Sequence, residues 1–132
     1  AVDLGKKRIG LAITDPLNII AQPFQTIEFK GKKRLAETLT ALIAEKTIGT
    51  IVFGVPVTLS GNESQKTKEI LKLIDELKQL LPDTVVIDTI DESLTTVEAH
   101  SILHQMGKKP SKHKDRVDQI AAQRILQSYM GH

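Results

Sequence analysis

Apolar and polar residues along the chain first mark out five short stretches with the spacing of β-strands. Ala1–Leu4 and Ile9–Thr14 are separated by a Gly-Lys-Lys-Arg segment that has the length of a hairpin loop. Gln22–Phe29 alternates between apolar and polar residues, which is typical of an edge strand. Thr50–Val55 is almost entirely apolar, which predicts a strand buried on both faces. Val85–Ile90 is the fifth predicted strand.

Four longer stretches have the apolar spacing of helices. They are Lys32–Lys46, the segment from the Gly61-Asn62 turn to Leu81, Thr95–Met106, and Asp115–Tyr129. Three strands joined by short loops, followed by helices that alternate with strands, predict an α/β fold. We expect a mixed five-stranded sheet whose first three strands are antiparallel, with helices on both faces. The 132 residues are enough for one such domain, and we expect residues 1–132 to form it.

The last predicted helix carries a carboxylate where an apolar residue is expected. At about 100° per residue, Asp118 falls near the middle of the apolar face. Its neighbours on that face are Ala122, Ile125 and Tyr129, while Asp115 falls on the edge of the stripe. A buried charge is costly unless it is paired, protonated or bound to a metal ion. We therefore interpret Asp118 as a residue with a chemical role.

Further carboxylates stand at strand positions from which they could meet Asp118. Asp3 interrupts an otherwise apolar first strand, and Asp91 and Glu92 follow the fifth strand. Ligand sites of open α/β sheets gather at the carboxyl ends of parallel strands. Converging carboxylates repel one another unless hard cations such as Mg²⁺ lie between them. The structural alternatives are a strand-end turn for Asp3 and a helix cap for Asp91 or Glu92.

Composition narrows the classes of protein and of partner. The chain has no cysteine, which excludes disulfides, thiolate metal sites and cysteine nucleophiles, and fits a reducing cytoplasm. No apolar run reaches the roughly 20 residues of a membrane span, so we expect no membrane association. Only three Phe and one Tyr are present, which disfavours a module that binds single strands by base stacking.

A formal net charge of +2 conceals three basic clusters, which hold 12 of the 18 Lys and Arg residues. The clusters are Lys6, Lys7 and Arg8; Lys30, Lys32, Lys33 and Arg34; and Lys108, Lys109, Lys112, Lys114 and Arg116. Any one of them could be an ordinary solvated surface. Three clusters flanking candidate acidic residues favour a polyanion as partner, since phosphate backbones bind such clusters.

Four motifs in order along the whole chain resemble those of the YqgF/RuvX family. They are Asp3-Leu4-Gly5 with Arg8-Ile9-Gly10-Leu11-Ala12 and Asp15, Gly54-Val55-Pro56-Val57 with Ser60-Gly61-Asn62-Glu63, Asp91-Glu92-x-Leu94-Thr95-Thr96, and Asp118-x-x-Ala121-Ala122. The family is assigned an RNase H-like fold and is described as Holliday junction resolvases. Some members are linked instead to maturation of the 5′ end of the small-subunit ribosomal RNA precursor.

The resemblance implies that Asp3, Glu92 and Asp118 are catalytic acids that bind metal, with Asp115 as an auxiliary. Ser93 stands where the family usually has Arg, which puts substrate contacts in doubt. We expect a cytoplasmic nuclease that uses Mg²⁺ or Mn²⁺, as two ions, for in-line hydrolysis of phosphodiester bonds. Basic residues are expected to hold the nucleic acid: Lys6, Lys7, Arg8, Lys108, Lys109, Lys112, Lys114 and Arg116.

Two rival functions remain open at this stage. The first is a nucleic-acid-binding module of the same fold without catalysis, which Ser93 favours. The second is an ATP-handling domain of the actin-like class, but that class needs two such domains, so we expect no ATP. The sequence leaves open branched DNA or precursor ribosomal RNA as substrate, and a monomer or a homodimer as assembly.

Overall fold

The computed structural model describes residues 1–56, 65–91 and 114–131. Within these ranges the strands are β1 (Val2–Leu4), β2 (Arg8–Thr14), β3 (Ala21–Glu28), β4 (Thr50–Val55) and β5 (Val86–Asp91). The helices are α1 (Lys32–Lys46), α2 (Gln65–Leu80) and α3 (Lys114–Met130). None of the helices in these ranges is long and apolar enough to cross a membrane.

The five strands form one mixed sheet in the order β3-β2-β1-β4-β5. β1, β2 and β3 are antiparallel neighbours, whereas β4 is parallel to both β1 and β5. The carboxyl ends of β1, β4 and β5 therefore lie at the same edge of the sheet. The beginning of β2 and the end of β3 reach this edge too, since Arg8 pairs with Glu28.

Two separate cores cover the two faces of the sheet. On one face α1 and α2 pack over residues such as Ile9, Ile51 and Phe53. On the other face the sheet contributes Ala12 and Val52, which pack against Ala122, Ile125 and Leu126 of α3. Successive residues of β1 and of β2 therefore point alternately to the two faces of the sheet, and so to the two cores.

The predicted α/β fold is confirmed, with its antiparallel first three strands and its helices on both faces. The element bounds agree with the prediction to within about one residue, the usual uncertainty of element ends, except at the start of the second helix, where the predicted turn lies outside the described residues. β4 is buried along Ile51–Val55, as its apolar run predicts. The helix predicted at Thr95–Met106 lies outside the described residues.

A buried hydroxyl joins the start of α2 to the end of β4. Thr67 is 4% exposed, and its Oγ1 donates a hydrogen bond to the Pro56 carbonyl at 2.8 Å. Replacing Thr67 by Val keeps the shape of the side chain but removes this hydrogen bond to the carbonyl. We expect the free energy of unfolding to fall by about 1–2 kcal/mol, measured by urea denaturation. Thr38→Val is the matched control, because Thr38 donates to the Arg34 carbonyl of its own helix at an exposed position. An equal loss in both variants would contradict the buried contribution of Thr67.

The loop between β2 and β3 closes around one carboxylate. Asp15 Oδ1 accepts hydrogen bonds from the backbone N–H groups of Ile19 at 2.6 Å and Ile20 at 2.9 Å. Thr14 Oγ1 also donates to Asn18 Oδ1 at 2.8 Å, and Asn18 has a left-handed φ of 57°. These contacts hold Ile19 and Ile20 with more than half of their surface exposed.

The hydrogen bonds to Asp15 have a consequence for the dependence of stability on pH. The N–H groups of Ile20, and then of Ile19, lower the pKa of Asp15 from its ordinary value of 3.8. Because the folded-state pKa lies below the unfolded one, the stabilisation is present above pH 3.8 and is lost as pH falls through the folded pKa. We expect Asp15→Asn to flatten the dependence of the urea midpoint on pH between about 2 and 5. An unchanged pH profile in this variant, or an NMR titration of Asp15 at its ordinary pKa, would refute the assignment.

Candidate active site

The middle of β1 presents a carboxylate to the face of the sheet that α3 covers. Val2 and Leu4 are buried in the core under α1 and α2, so the alternation of the strand turns Asp3 to the opposite face. Asp3 is the direct cross-strand partner of Gly10 in β2. Side chains of directly opposed residues lie on one face with their Cβ atoms about 5 Å apart. Asp3 therefore lies beside the position of Gly10, in a partly exposed setting.

Gly10 is where α3 comes into contact with the sheet. A Cβ atom at Gly10 would lie 2.0 Å from the backbone carbonyl oxygen of Asp118 and 3.0 Å from its Cβ. The absence of a side chain at this position lets the helix backbone rest directly on β2. Since Gly10 lies beside Asp3 and beneath Asp118, these two acids of distant sequence position occupy neighbouring places on one face.

Arg8 is the charged partner of Asp118. Its Nε donates a hydrogen bond to Asp118 Oδ2 at 2.9 Å, and 34% of the Arg8 side chain and 22% of the Asp118 side chain are exposed. Arg8 and Gly10 are two positions apart in β2, so both project toward α3. The apolar face of α3 thus accommodates Asp118 because a cation on the neighbouring strand compensates it, as its placement in the sequence requires.

The other candidate acids differ in where they lie and in how much of each the structure describes. Asp91 is exposed at the end of β5 and alternates with Ile90, which packs on the α3 side, so Asp91 belongs to the opposite face. Glu92 follows Asp91 in the sequence and lies outside the described residues. Asp115 lies in the first turn of α3, three residues before Asp118, and only its backbone is described. A site containing Glu92 or the Asp115 carboxylate stays a prediction.

Two of the three basic clusters come together at the edge of the sheet where β1 ends. The turn with Lys6 and Lys7 is exposed, and the Lys7 carbonyl accepts a hydrogen bond from the Phe29 N–H at 2.9 Å. This bond brings the segment with Lys30 to Arg34 beside the turn. Several members of that segment also contact acids: Lys30 with Glu28 at 3.5 Å, Arg34 with Glu37 at 3.9 Å, and Lys32 with Glu76.

Only part of the third basic cluster, Lys108 to Arg116, lies in the ranges that the structure describes. Arg116 is exposed on α3, two residues before Asp118, and Lys114 is described by its backbone alone. Lys108, Lys109 and Lys112 lie outside the described residues. In the described ranges, the Lys6-Lys7 turn directly follows the strand of Asp3, and Arg116 precedes Asp118 on α3, whereas the 30–34 segment leads into α1 on the other face of the sheet.

One cavity within the described part of the chain lies away from the carboxylates. Its volume is about 1000 Å³, and it is lined by residues such as Asp15, Thr47, Gly49 and Met130. These residues surround the beginnings of β1 and β4 and the far end of β2, at the edge opposite to the end of β1. Neither Asp3 nor Asp118 lines this cavity, and both side chains are partly exposed in the described part of the chain.

The donor set at this surface fits a hard divalent cation. Asp3 and Asp118 supply carboxylate oxygens, which Mg²⁺ and Mn²⁺ prefer, and both side chains are partly exposed. Across the described ranges, no group of three or more His, Cys, Asp or Glu is close enough to hold a metal ion. Two carboxylates are compatible with Mg²⁺, which is usually held by one or two of them together with water and phosphate.

Sequence reasoning missed two contributors to this site. The sequence predicts phosphate binding for Arg8, and nothing in it indicates the pairing with Asp118. Gly10 stands out in the sequence only as part of a motif, although its spacing from Asp3 across a short hairpin predicts that the two are neighbours. The sequence predicts Tyr129 on the apolar face of the last helix, but it is 40% exposed, and its hydroxyl donates to Asp88 Oδ2 at 3.0 Å.

Known proteins match this chain along nearly its whole length. The family model described as "RuvX: Holliday junction resolvase" matches residues 1–132. A "Putative pre-16S rRNA nuclease" of Chloroflexus aggregans is 36% identical over 129 residues, which cover 98% of this chain and 89% of the relative. A protein of Acetivibrio thermocellus with the same name is 38% identical over 130 residues, covering 98% of this chain and 92% of the relative.

Among solved structures, the chain is similar to the Fowlpox virus resolvase, which was crystallised with substrate Holliday junction DNA. The TM-score is 0.56 at 11% sequence identity, and the match covers 99% of this chain and 95% of the viral one. At this identity the likeness concerns the fold, which is RNase H-like, as the sequence motifs imply.

Proposed function

The chain belongs to the RuvX family of Holliday junction resolvases, and from this premise we propose that it is a nuclease that hydrolyses phosphodiester bonds with the aid of divalent cations. The observation that carries the proposal is the position of Asp118 on Gly10, next to Asp3. Two neighbouring carboxylates repel one another, and a divalent cation bound between them removes this repulsion. A purely structural role gives no such reason for placing the second acid beside the first.

The residues that would hold the cations are Asp3 and Asp118, with Glu92 and Asp115 as the further acids that the sequence suggests. Bound Mg²⁺ or Mn²⁺ would supply a water molecule of lowered pKa and would neutralise charge on the phosphate. Asp3 is fixed in place by a short central strand whose neighbouring residues are buried. Asp118 is fixed by the contact of α3 with Gly10 and by its hydrogen bond to Arg8.

Exposed basic side chains would bind and orient the nucleic acid. Lys6 and Lys7 are solvated and lie next to the end of β1. Ammonium groups in such a turn contact phosphate as point charges, with little dependence on base sequence. Their position would direct the phosphate backbone along the edge of the sheet and across the two carboxylates.

The descriptions of the family and of its members suggest two classes of substrate. The family description names Holliday junctions, and the names of the relatives refer to the precursor of 16S ribosomal RNA. Both substrates present the same phosphates to a surface site. The test is cleavage by the purified protein of a four-way DNA junction and of a precursor RNA side by side. Each reaction is run with Mg²⁺, with Mn²⁺ and with a chelator.

The expected result is cleavage of at least one substrate that depends on the cation. Cleavage that persists in chelator would overturn the metal requirement. Binding of both substrates without cleavage under any condition would instead support the non-catalytic module.

A further inference from the structure

The pairing of Arg8 with Asp118 creates a competition that the proposed nuclease has to resolve. Arg8 Nε lies 2.9 Å from Asp118 Oδ2, so a guanidinium occupies one oxygen of a carboxylate to which we assign a cation. The guanidinium and a divalent cation carry like charges, and each stabilises the carboxylate by itself. Close together, they would repel one another, since charges within about 4–6 Å interact strongly. Metal binding at Asp118 is therefore opposed by Arg8 in the protein without substrate.

Arg8 is placed so that a second anion can attract it. It is the first residue of β2, directly after the exposed Lys6-Lys7 turn, and a third of its side chain is in contact with solvent. A planar guanidinium forms bidentate hydrogen bonds with phosphate as readily as with carboxylate. A nucleic-acid backbone that follows the basic turn would pass within reach of Arg8.

We propose that Arg8 is a positioning residue that couples cation binding to nucleic-acid binding. Without substrate, Arg8 holds the Asp118 carboxylate in place and weakens the affinity of the site for the cation. When a phosphate arrives, Arg8 transfers its hydrogen bonds to it and releases Asp118 Oδ2 to the metal. Each ligand then favours the other by the same factor, as linkage requires. The inference rests on the proposed function, because it assumes that Asp118 is a cation ligand.

The first test is titration of the protein alone with Mn²⁺. Binding is measured by calorimetry and by the loss of the electron paramagnetic resonance signal of free Mn²⁺. Arg8→Gln removes the competing charge and is expected to lower the Kd for Mn²⁺ about tenfold, a typical coupling factor. Arg8→Lys keeps a cation and is expected to bind more weakly than Arg8→Gln. Lys7→Gln is the matched control, because it removes the same net charge from an exposed position beside Arg8, and its Kd should change less than about twofold.

The second test separates the coupling role from a structural one. In a cleavage assay, Arg8→Gln should reach half of its maximal rate at a lower Mn²⁺ concentration than the unaltered protein, while its KM for the nucleic acid rises. A residue that merely supports the fold would lower the rate without tightening Mn²⁺ binding.

The outcomes distinguish the inference from the proposed function. If the unaltered protein binds Mn²⁺ and Arg8→Gln binds it equally or more weakly, the coupling role of Arg8 is overturned and the nuclease proposal stands. If neither protein binds Mn²⁺, both proposals fall.

Discussion

Replacing Asp3 or Asp118 by asparagine is expected to reduce the rate of phosphodiester cleavage at least about 100-fold while leaving the chain folded. Asparagine keeps the size of the side chain but removes the negative charge that a divalent cation needs. The amide oxygen of an asparagine at position 118 can still accept the hydrogen bond from Arg8. The partly exposed ion pair contributes little to stability, about 1 kcal/mol or less, so the folded state should persist.

The measurement is the single-turnover cleavage rate at saturating Mg²⁺, with circular dichroism and urea denaturation as checks of folding. Asp88→Asn is the matched control, because Asp88 is an exposed acid of β5 that accepts a hydrogen bond from Tyr129. It should leave the cleavage rate unchanged. Glu92→Gln tests the remaining acid of the motif in the same way. A folded Asp3→Asn or Asp118→Asn protein with full activity would remove that residue from the site.

Replacing Gly10 by alanine is expected to destabilise the protein by about 3 kcal/mol or more and to abolish cleavage. The added Cβ would meet the backbone oxygen of Asp118 at 2.0 Å, a distance that real Cβ atoms essentially never show. Backbone cannot rotate away as a flexible side chain can, so α3 has to lift from the sheet. Lifting α3 would open the core formed with Ala122 and Ile125 and would displace the Asp118 carboxylate.

Gly49→Ala provides the control for this prediction. A Cβ atom at Gly49 has no heavy atom within 4 Å, and this glycine lies at an exposed position before β4. Its free energy of unfolding should stay within about 0.5 kcal/mol of the parent. Urea denaturation of both variants gives the comparison. A Gly10→Ala protein as stable as Gly49→Ala would show that α3 does not rest on Gly10 as described.

Much of the fold could be predicted from local patterns. The apolar run of β4 and the alternation in β3 identified strands because residues buried on two faces or on one leave different periodicities. The spacing of apolar residues in α1 and α3 located both helices to within one residue of their ends. The sequence also identified Asp118 as exceptional, since a carboxylate on an apolar helical face needs a compensating partner.

The partner itself could be decided only by the tertiary structure. Arg8 lies 110 residues before Asp118, and no local periodicity relates a residue of a hairpin to a residue of the last helix. Their contact depends on the strand register that sets Asp3 beside Gly10, and on the packing of α3 against a position that lacks a side chain. Sequence alone therefore determined which residues are chemically unusual, because burial periodicity is local. The fold decided which of them meet, because contacts between distant segments follow from register and packing.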